Sequence, residues 1–322
     1  MEETLQRFRA WLEAQDRSPR TVQAYLSDLA HFARWFAQTN GRAFSPEAVT
    51  PTDVREYRQW MVAVQGLTPA TVNRRIAALR AFSAWAYEAG LIAGDPTDGV
   101  RLLSEQPRPP RWLDRRQQAA LRRALERRLE HAELKARLAR LEGRPMPPEL
   151  VWARRDAALV HLMLNAGLRV GEVVVLEVGD VDLRERSGRV TVRLGKGNRR
   201  RVVPLNGEVR AALSAWLAVR PIPSTSPAGG GGVAALFVGR RGQPLGTRAV
   251  QRVVAQLGKV AGIEGLTPHV LRHTFAKNLV DAGVGLEKVA DLLGHRRLET
   301  TRIYTRPGER DLERAVEAIV AG

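Results

Sequence analysis

Residues 267–276 read TPHVLRHTFA, and a little further on residues 293–306 read LGHRRLETTRIYTR. Three of the six histidines, His269, His273 and His295, fall here, with Arg272 between the first two. Behind them stands Tyr304, one of four tyrosines and the only one after Tyr87. Thr267 and Pro268 suit the N-cap and first position of a helix. On that helix His269, Arg272 and His273 lie at i, i+3 and i+4 and project from one face, while Leu271, Phe275 and Leu279 anchor the apolar side.

Three chemistries are open to such a cluster. Two histidines four apart could share a zinc, with His295 as third ligand. No Asp or Glu lies in the 269–273 turn, however, and Arg272, Arg296 and Arg297 would crowd the dication with like charge. Arginine forks beside histidine donors would instead hold a phosphate. The plainest reading is a set of surface cations around a core histidine.

Two other stretches bear on the choice. Arg169 sits at a turn in GLRVGE, where side chain and backbone could both meet an anion. Lys196 sits in a GKGN turn, in a chain that has 51 Arg and Lys together, only five of them Lys. Arginine keeps its proton at any useful pH, whereas a lysine can be tuned into a general acid. Tyr304 would ordinarily be a core or interface residue. As a nucleophile it would need its pKa, about 10 when unperturbed, lowered by converging positive charge. The chain has no G-x-x-x-x-G-K-[ST] loop and no carboxylate cluster of the two-metal kind. Phosphoryl transfer here would therefore rest on Arg and His for charge stabilisation, without ATP or metal.

The elements that must carry these residues can be traced by periodicity. Leu5, Phe8, Trp11 and Leu12 form a helical stripe, and a longer helix follows Ser18 and Pro19, with Val22, Tyr25, Leu26, Leu29, Phe32 and Phe36 on its apolar side. Pro51 opens a shorter helix, and Thr68 and Pro69 repeat the Ser18–Pro19 arrangement before a fourth. The proline-rich, basic stretch 104–112 reads as a linker between domains at 1–103 and 113–322. Residues 115–142 predict a long charged helix with Leu121, Leu125, Leu129, Leu134, Leu138 and Leu141 toward one side. After the GLRVGE turn come a short helix and a loop, then a hairpin with Val190, Val192 and Leu194 before its turn and Val202, Val203 and Leu205 after it. A helix over 206–219, a Gly-rich loop at 224–232 and further helices complete an α-rich domain with a small antiparallel sheet.

Composition limits the partner. The formal charge of +17 favours an anionic one, nucleic acid foremost. No cysteine is present, which excludes disulfides, thiolate zinc sites and cysteine nucleophiles. No apolar run approaches the roughly 18 residues of a membrane helix, and no leader is evident, so the expectation is a cytoplasmic protein with no membrane partner.

Taken in order, the Arg of GLRVGE, the Lys of GKGN, H-x-L-R-H, LGH and the Tyr nine residues beyond resemble the tyrosine recombinase (phage integrase) family, and most of all its simpler Xer-like site-specific members or the integron and transposon integrases. The expectation is no extra N-terminal arm-binding region and a longer helical segment at 115–150. The resemblance implies an N-terminal four-helix, SAM-like core-binding domain that contacts DNA, with Arg20, Arg74, Arg75 and Arg80 as candidate contacts, and a C-terminal catalytic domain. It implies that Tyr304 attacks a DNA phosphate to give a 3′-phosphotyrosyl link. Arg169, His269 and Arg272 would hold the non-bridging oxygens, His295 would add a hydrogen bond, Lys196 would protonate the departing 5′-oxygen, and His273 would support the site. No cofactor and no metal is implied. The implied partner is double-stranded DNA with a specific site, bound by a tetramer of this chain or of this chain and a paralogue. The tail 311–322, with Leu312, Val316 and Ile319 on one side, could dock on a neighbouring subunit or on its own domain. Rival expectations are a type IB topoisomerase using the same cleavage chemistry, an idle DNA-binding regulator and a metal nuclease.

Overall fold

The computed structural model describes residues 2–105, 110–193, 200–221, 235–295 and 298–305. Lys196 with its GKGN turn, the Gly-rich loop, Arg296, Arg297 and the 311–322 tail lie outside the described residues. The chain divides into two compact units, Met1–Arg108 and Pro109–Gly322.

The first unit is a bundle of α1 (Glu2–Ala14), α2 (Pro19–Asn40), α3 (Pro51–Ala63) and α4 (Pro69–Glu88). Each of the last three starts with proline at its first position, where the missing N–H costs nothing. Ser18 Oγ accepts from the Thr21 amide at 3.1 Å, and Thr50 with Asp53 forms a reciprocal capping box. Thr68 departs from its expected role: its hydroxyl pairs with that of Thr71 at 3.1 Å and caps no amide. The core is aromatic, with Phe8, Phe32, Phe36, Tyr57, Phe82 and Trp85 buried and ring pairs such as Phe32–Tyr57 meeting edge to face at 5.0 Å.

The second unit begins with α5 (Arg115–Leu141), packed against α6 (Pro148–Asn165). Leu121 and Leu125 are buried, as expected, but Leu134, Leu138 and Leu141 are exposed. The expected leucine stripe breaks at the five-residue step from Leu129 to Leu134, which at about 100° per residue turns well off the face. Steps of three and four from Leu129 lead instead to Ala132, Ala136 and Ala139, and the alanines carry the packing. In α6, buried residues surround the helix from Ala157 to Leu164, interrupted only by half-buried His161, so it forms the centre of the unit.

After α6 come α7 (Val170–Val173) and an antiparallel sheet in the order β1 (Val181–Leu183), β2 (Gly188–Arg193), β3 (Arg200–Pro204). β1 occupies a segment expected as loop; three residues are too few to display a period of two, and pairing with β2 defines it. Val190 faces Val203 and Val192 faces Arg201 across β2 and β3. Adjacent valines cannot share a face, so Val203 is buried while Val202 is exposed. The same alternation puts Arg201 on the inward face with Val203. The unit closes with α8 (Gly207–Leu217), α9 (Thr247–Val260), α10 (Pro268–Asp281), α11 (Leu286–Leu293) and the short α12 (Glu299–Arg302). Among the described residues no helix is long and apolar enough to cross a membrane.

Candidate active site

Arg169 is presented by a turn that only glycine permits. Gly167 has φ +66°, and a Cβ there would lie 2.3 Å from the Phe275 ring. Arg169 then caps α7. Its amide donates to Glu172 Oε2 at 2.8 Å and its Nη1 to Oε1 at 2.9 Å. From the sheet, Arg201 closes on the same carboxylate in a two-pronged bond, Nη1 to Oε1 at 2.9 Å and Nη2 to Oε2 at 2.8 Å. Burial would push the Glu172 carboxyl up, but Arg201 and then Arg169 hold it at about 2.

The C-terminus of α11 gathers the arginines. Gly294, at φ +65°, ends the helix in a left-handed cap and leaves carbonyls facing outward along the axis. Leu292 O accepts from Arg201 Nε at 3.0 Å, Leu293 O from Arg272 Nη2 at 2.7 Å, and Gly294 O from Arg169 Nη2 at 3.5 Å. Three consecutive carbonyls at the negative end of a helix thus take three guanidinium groups. Arg272 is buried and also donates to Gly167 O, so α10 is tied to the turn that carries Arg169. Burial, then Arg169, pull its guanidinium down to about 9, opposed by Glu172.

His295 lies 3.1 Å from Arg272 Nη2 through Nε2 and 2.9 Å from Thr301 Oγ1 through Nδ1. Arginine can only donate, so Nε2 accepts and the ring proton sits on Nδ1, donated to Thr301. Burial, then Arg272 and Arg169, depress its pKa to about 4, which keeps it neutral. In this arrangement Nε2 supports Arg272.

Tyr304 is 1% exposed, in an apolar cluster with Phe275, Ala276, Val289 and Leu293. Its hydroxyl meets His273 Nδ1 at 2.6 Å. Burial raises the tyrosine pKa above its usual 10.0, and the opposing pull of Arg272 and Arg169 does not overcome it. Burial, His269 and Arg272 lower the pKa of His273, favouring the neutral ring. His269 is exposed one turn earlier on α10, its ring centroid 6.4 Å from that of His273. Among the described residues no group of His, Cys, Asp or Glu side chains could hold a metal ion.

The structure therefore brings together Arg169, Arg272, His295, His273 and Tyr304, with His269 beside them; Lys196 lies outside the described residues. Sequence reasoning assigned no role to Glu172 and did not single out Arg201. Their signals were present, a carboxylate three residues after Arg169 and an arginine at an inward position of a strand. In the first unit Arg20 and Arg74 are exposed, and Arg74 is paired with Asp28. Arg75 lies 3.0 Å from His31 Nε2 and Arg80 donates to Val100 O, so these two expected DNA contacts point at least one donor into their own unit.

Comparison with known proteins locates this arrangement. The model of the phage integrase family matches residues 124–310, and that of the phage integrase N-terminal SAM-like domain matches residues 5–90. Tyrosine recombinase XerC of Mycobacterium tuberculosis is 36% identical over 310 residues, 95% of this chain and 94% of that protein. XerC of Corynebacterium glutamicum is 35% identical over 294 residues, 90% of this chain and 82% of that protein. Among solved structures, XerH recombinase bound to a palindromic difH substrate in a post-cleavage complex aligns with TM-score 0.70 at 21% identity, covering 94% of this chain and 81% of that one. A lambda integrase dimer bound to a COC′ core site aligns with TM-score 0.65 at 17% identity, covering 94% of each chain.

Proposed function

The chain belongs to the phage integrase family, and from that premise we propose that it cleaves and rejoins DNA at a specific site through a 3′-phosphotyrosyl intermediate. Oη of Tyr304 attacks phosphorus as the bond to the 5′-oxygen breaks. Arg169 and Arg272, with His269, neutralise the non-bridging oxygens as charge builds on them. Lys196 gives its proton to the departing 5′-oxygen, and His273 Nδ1 is the nearest acceptor for the phenolic proton. His295 acts by holding Arg272. The bond energy stays in the phosphotyrosine, so rejoining by another strand's 5′-hydroxyl needs neither ATP nor metal. The tyrosine must leave its apolar cluster to reach a phosphate, and binding of the DNA anion beside Arg272 and Arg169 favours its ionised form.

The observation that carries the reading is the gathering of Arg169 and Arg272 at one helix end with Tyr304 held beside them. XerC relatives favour recombination over simple relaxation of DNA; the assembly proposed here is a tetramer, of this chain or with a paralogue, acting in the cytoplasm. The Met1–Arg108 unit serves as the core-binding domain, through exposed Arg20 and Arg74, and the rest as the catalytic domain.

The test is covalent trapping. Duplexes selected for binding are nicked so that cleavage releases a short piece, then incubated in chelator with wild type or Tyr304→Phe and run on a denaturing gel. An adduct with wild type alone is expected. Its absence despite confirmed binding would leave a DNA-binding regulator or a missing partner subunit, and cleavage only on adding metal would point to a nuclease. Rejoining between two duplexes separates a recombinase from a topoisomerase.

A further inference from the structure

We propose that Arg201 is a positioning residue for Arg169, acting through Glu172, in the reaction proposed above, on which this inference rests. Arg201 is an arginine on the inward face of a strand, where its partner across the sheet, Val192, is buried. Its side chain is 9% exposed and its fork is turned away from solvent onto Glu172 and the Leu292 carbonyl. Close approach to Gly294 completes the setting: a Cβ on that glycine would come within 2.9 Å of Arg201 Nη1.

The consequence lies in what Glu172 does next. Each of its oxygens accepts one bond from Arg201 and one from Arg169. A carboxylate held by Arg169 alone, on a four-residue helix, would be free to swing with it. The second fork fixes the plane of the carboxylate against β3 and α11, and so fixes the direction in which the Arg169 guanidinium points. Arg201 also roots β3 beside the same helix end that receives Arg272. Arg193, at the end of β2, is bound to Glu177 and Asp180. Arg201 thus links β3, the Arg169 turn and the C-terminus of α11.

The test compares Arg201→Met, Arg201→Lys, Arg169→Ala and the double variant Arg169→Ala/Arg201→Met with wild type. The probe is a nicked duplex selected by binding, carrying either an ordinary phosphate or a methylphosphonate at the mapped cleavage position. Replacing one non-bridging oxygen by methyl removes the charge that a phosphate-facing guanidinium neutralises. At saturating DNA, Arg201→Met is expected to slow adduct formation about 10–100-fold on phosphate, the usual effect of losing an outer partner of a reacting group, with DNA affinity unchanged. The loss should shrink on methylphosphonate, and the double variant should be no slower than Arg169→Ala. Arg201→Lys keeps the charge without the fork and should behave as Arg201→Met; it carries the same comparison if the methionine variant unfolds. Multiplied losses in the double variant, or an equal loss on both substrates, would overturn the proposal. No adduct with wild type would instead overturn the recombinase reading beneath it.

Discussion

In both units a carboxylate is set between two arginines, Asp28 in the first and Glu172 in the second, and these two arrangements differ in what the second arginine does. In the first unit buried Asp28 pairs with half-exposed Arg74, while Arg75 Nε stays 3.8 Å away, buried and without a hydrogen-bond partner. Another donor of Arg75 goes to His31, whose Nδ1 meets Tyr57 at 2.8 Å. In the second unit both arginines bond both oxygens of Glu172, one of them almost fully buried. The first arrangement leaves Arg74 free to exchange its partner for another anion. The second removes that freedom from Arg201 and lends its rigidity to Arg169. A loosely held arginine suits a contact with the DNA backbone, where any phosphate will do; a triangulated one suits a site that must meet a single phosphate in a single orientation.

Removing each carboxylate should separate the two most widely. Glu172→Ala strands Arg201 inside the unit and is expected to destabilise by about 3–5 kcal/mol, the usual result of leaving one member of a buried pair uncompensated. Asp28→Ala leaves Arg74 with access to water and should cost about 1–3 kcal/mol. Urea unfolding of both variants measures the gap, and equal losses would break the distinction.

Acid should act on the second unit through the same network. Glu172 is depressed to about 2 from its usual 4.5, so its stabilisation is complete above about pH 4.5 and is lost as pH falls from there toward 2. His295 is depressed to about 4 from 6.5; the unfolded chain binds its proton first, so stability also falls as pH drops from 6.5 toward 4. His295→Gln should make the upper of these slopes shallower, the rest of it belonging to His161 and His273, which burial also depresses, and leave the lower one, as read from unfolding midpoints against pH. Arg74→Ala leaves buried Asp28 with Arg75, 3.8 Å away, as its remaining ion-pair partner and is expected to cost about 1–3 kcal/mol. The same variant should weaken DNA binding and reduce its salt dependence, measured by titration at several salt concentrations.

Much of this protein was legible in its residues. Ser18–Pro19 and Thr267–Pro268 mark helix starts because capping chemistry is local, and His269, Arg272 and His273 share a face because a helix turns about 100° per residue. The roles of Glu172 and Arg201 were not legible, since 29 residues separate them and nothing in either neighbourhood names the other. The α5 leucines misled for the opposite reason: hydrophobicity suggested the face, while the step from Leu129 to Leu134 moved it onto alanines.

The sequence by itself determined the helical bundle of the first unit, the α-rich character of the second, and the residue types that could handle a phosphate, because caps, periodicity and side-chain chemistry act over a few residues. Only the tertiary structure decided that three arginines from a turn, a strand and a helix meet the last carbonyls of α11, that His295 is neutral with its proton on Nδ1, and that Tyr304 rests in an apolar cluster with its pKa raised. Those properties depend on burial and on partners brought from as far as 125 residues away, and desolvation and hydrogen-bond geometry exist only once the chain has closed around them.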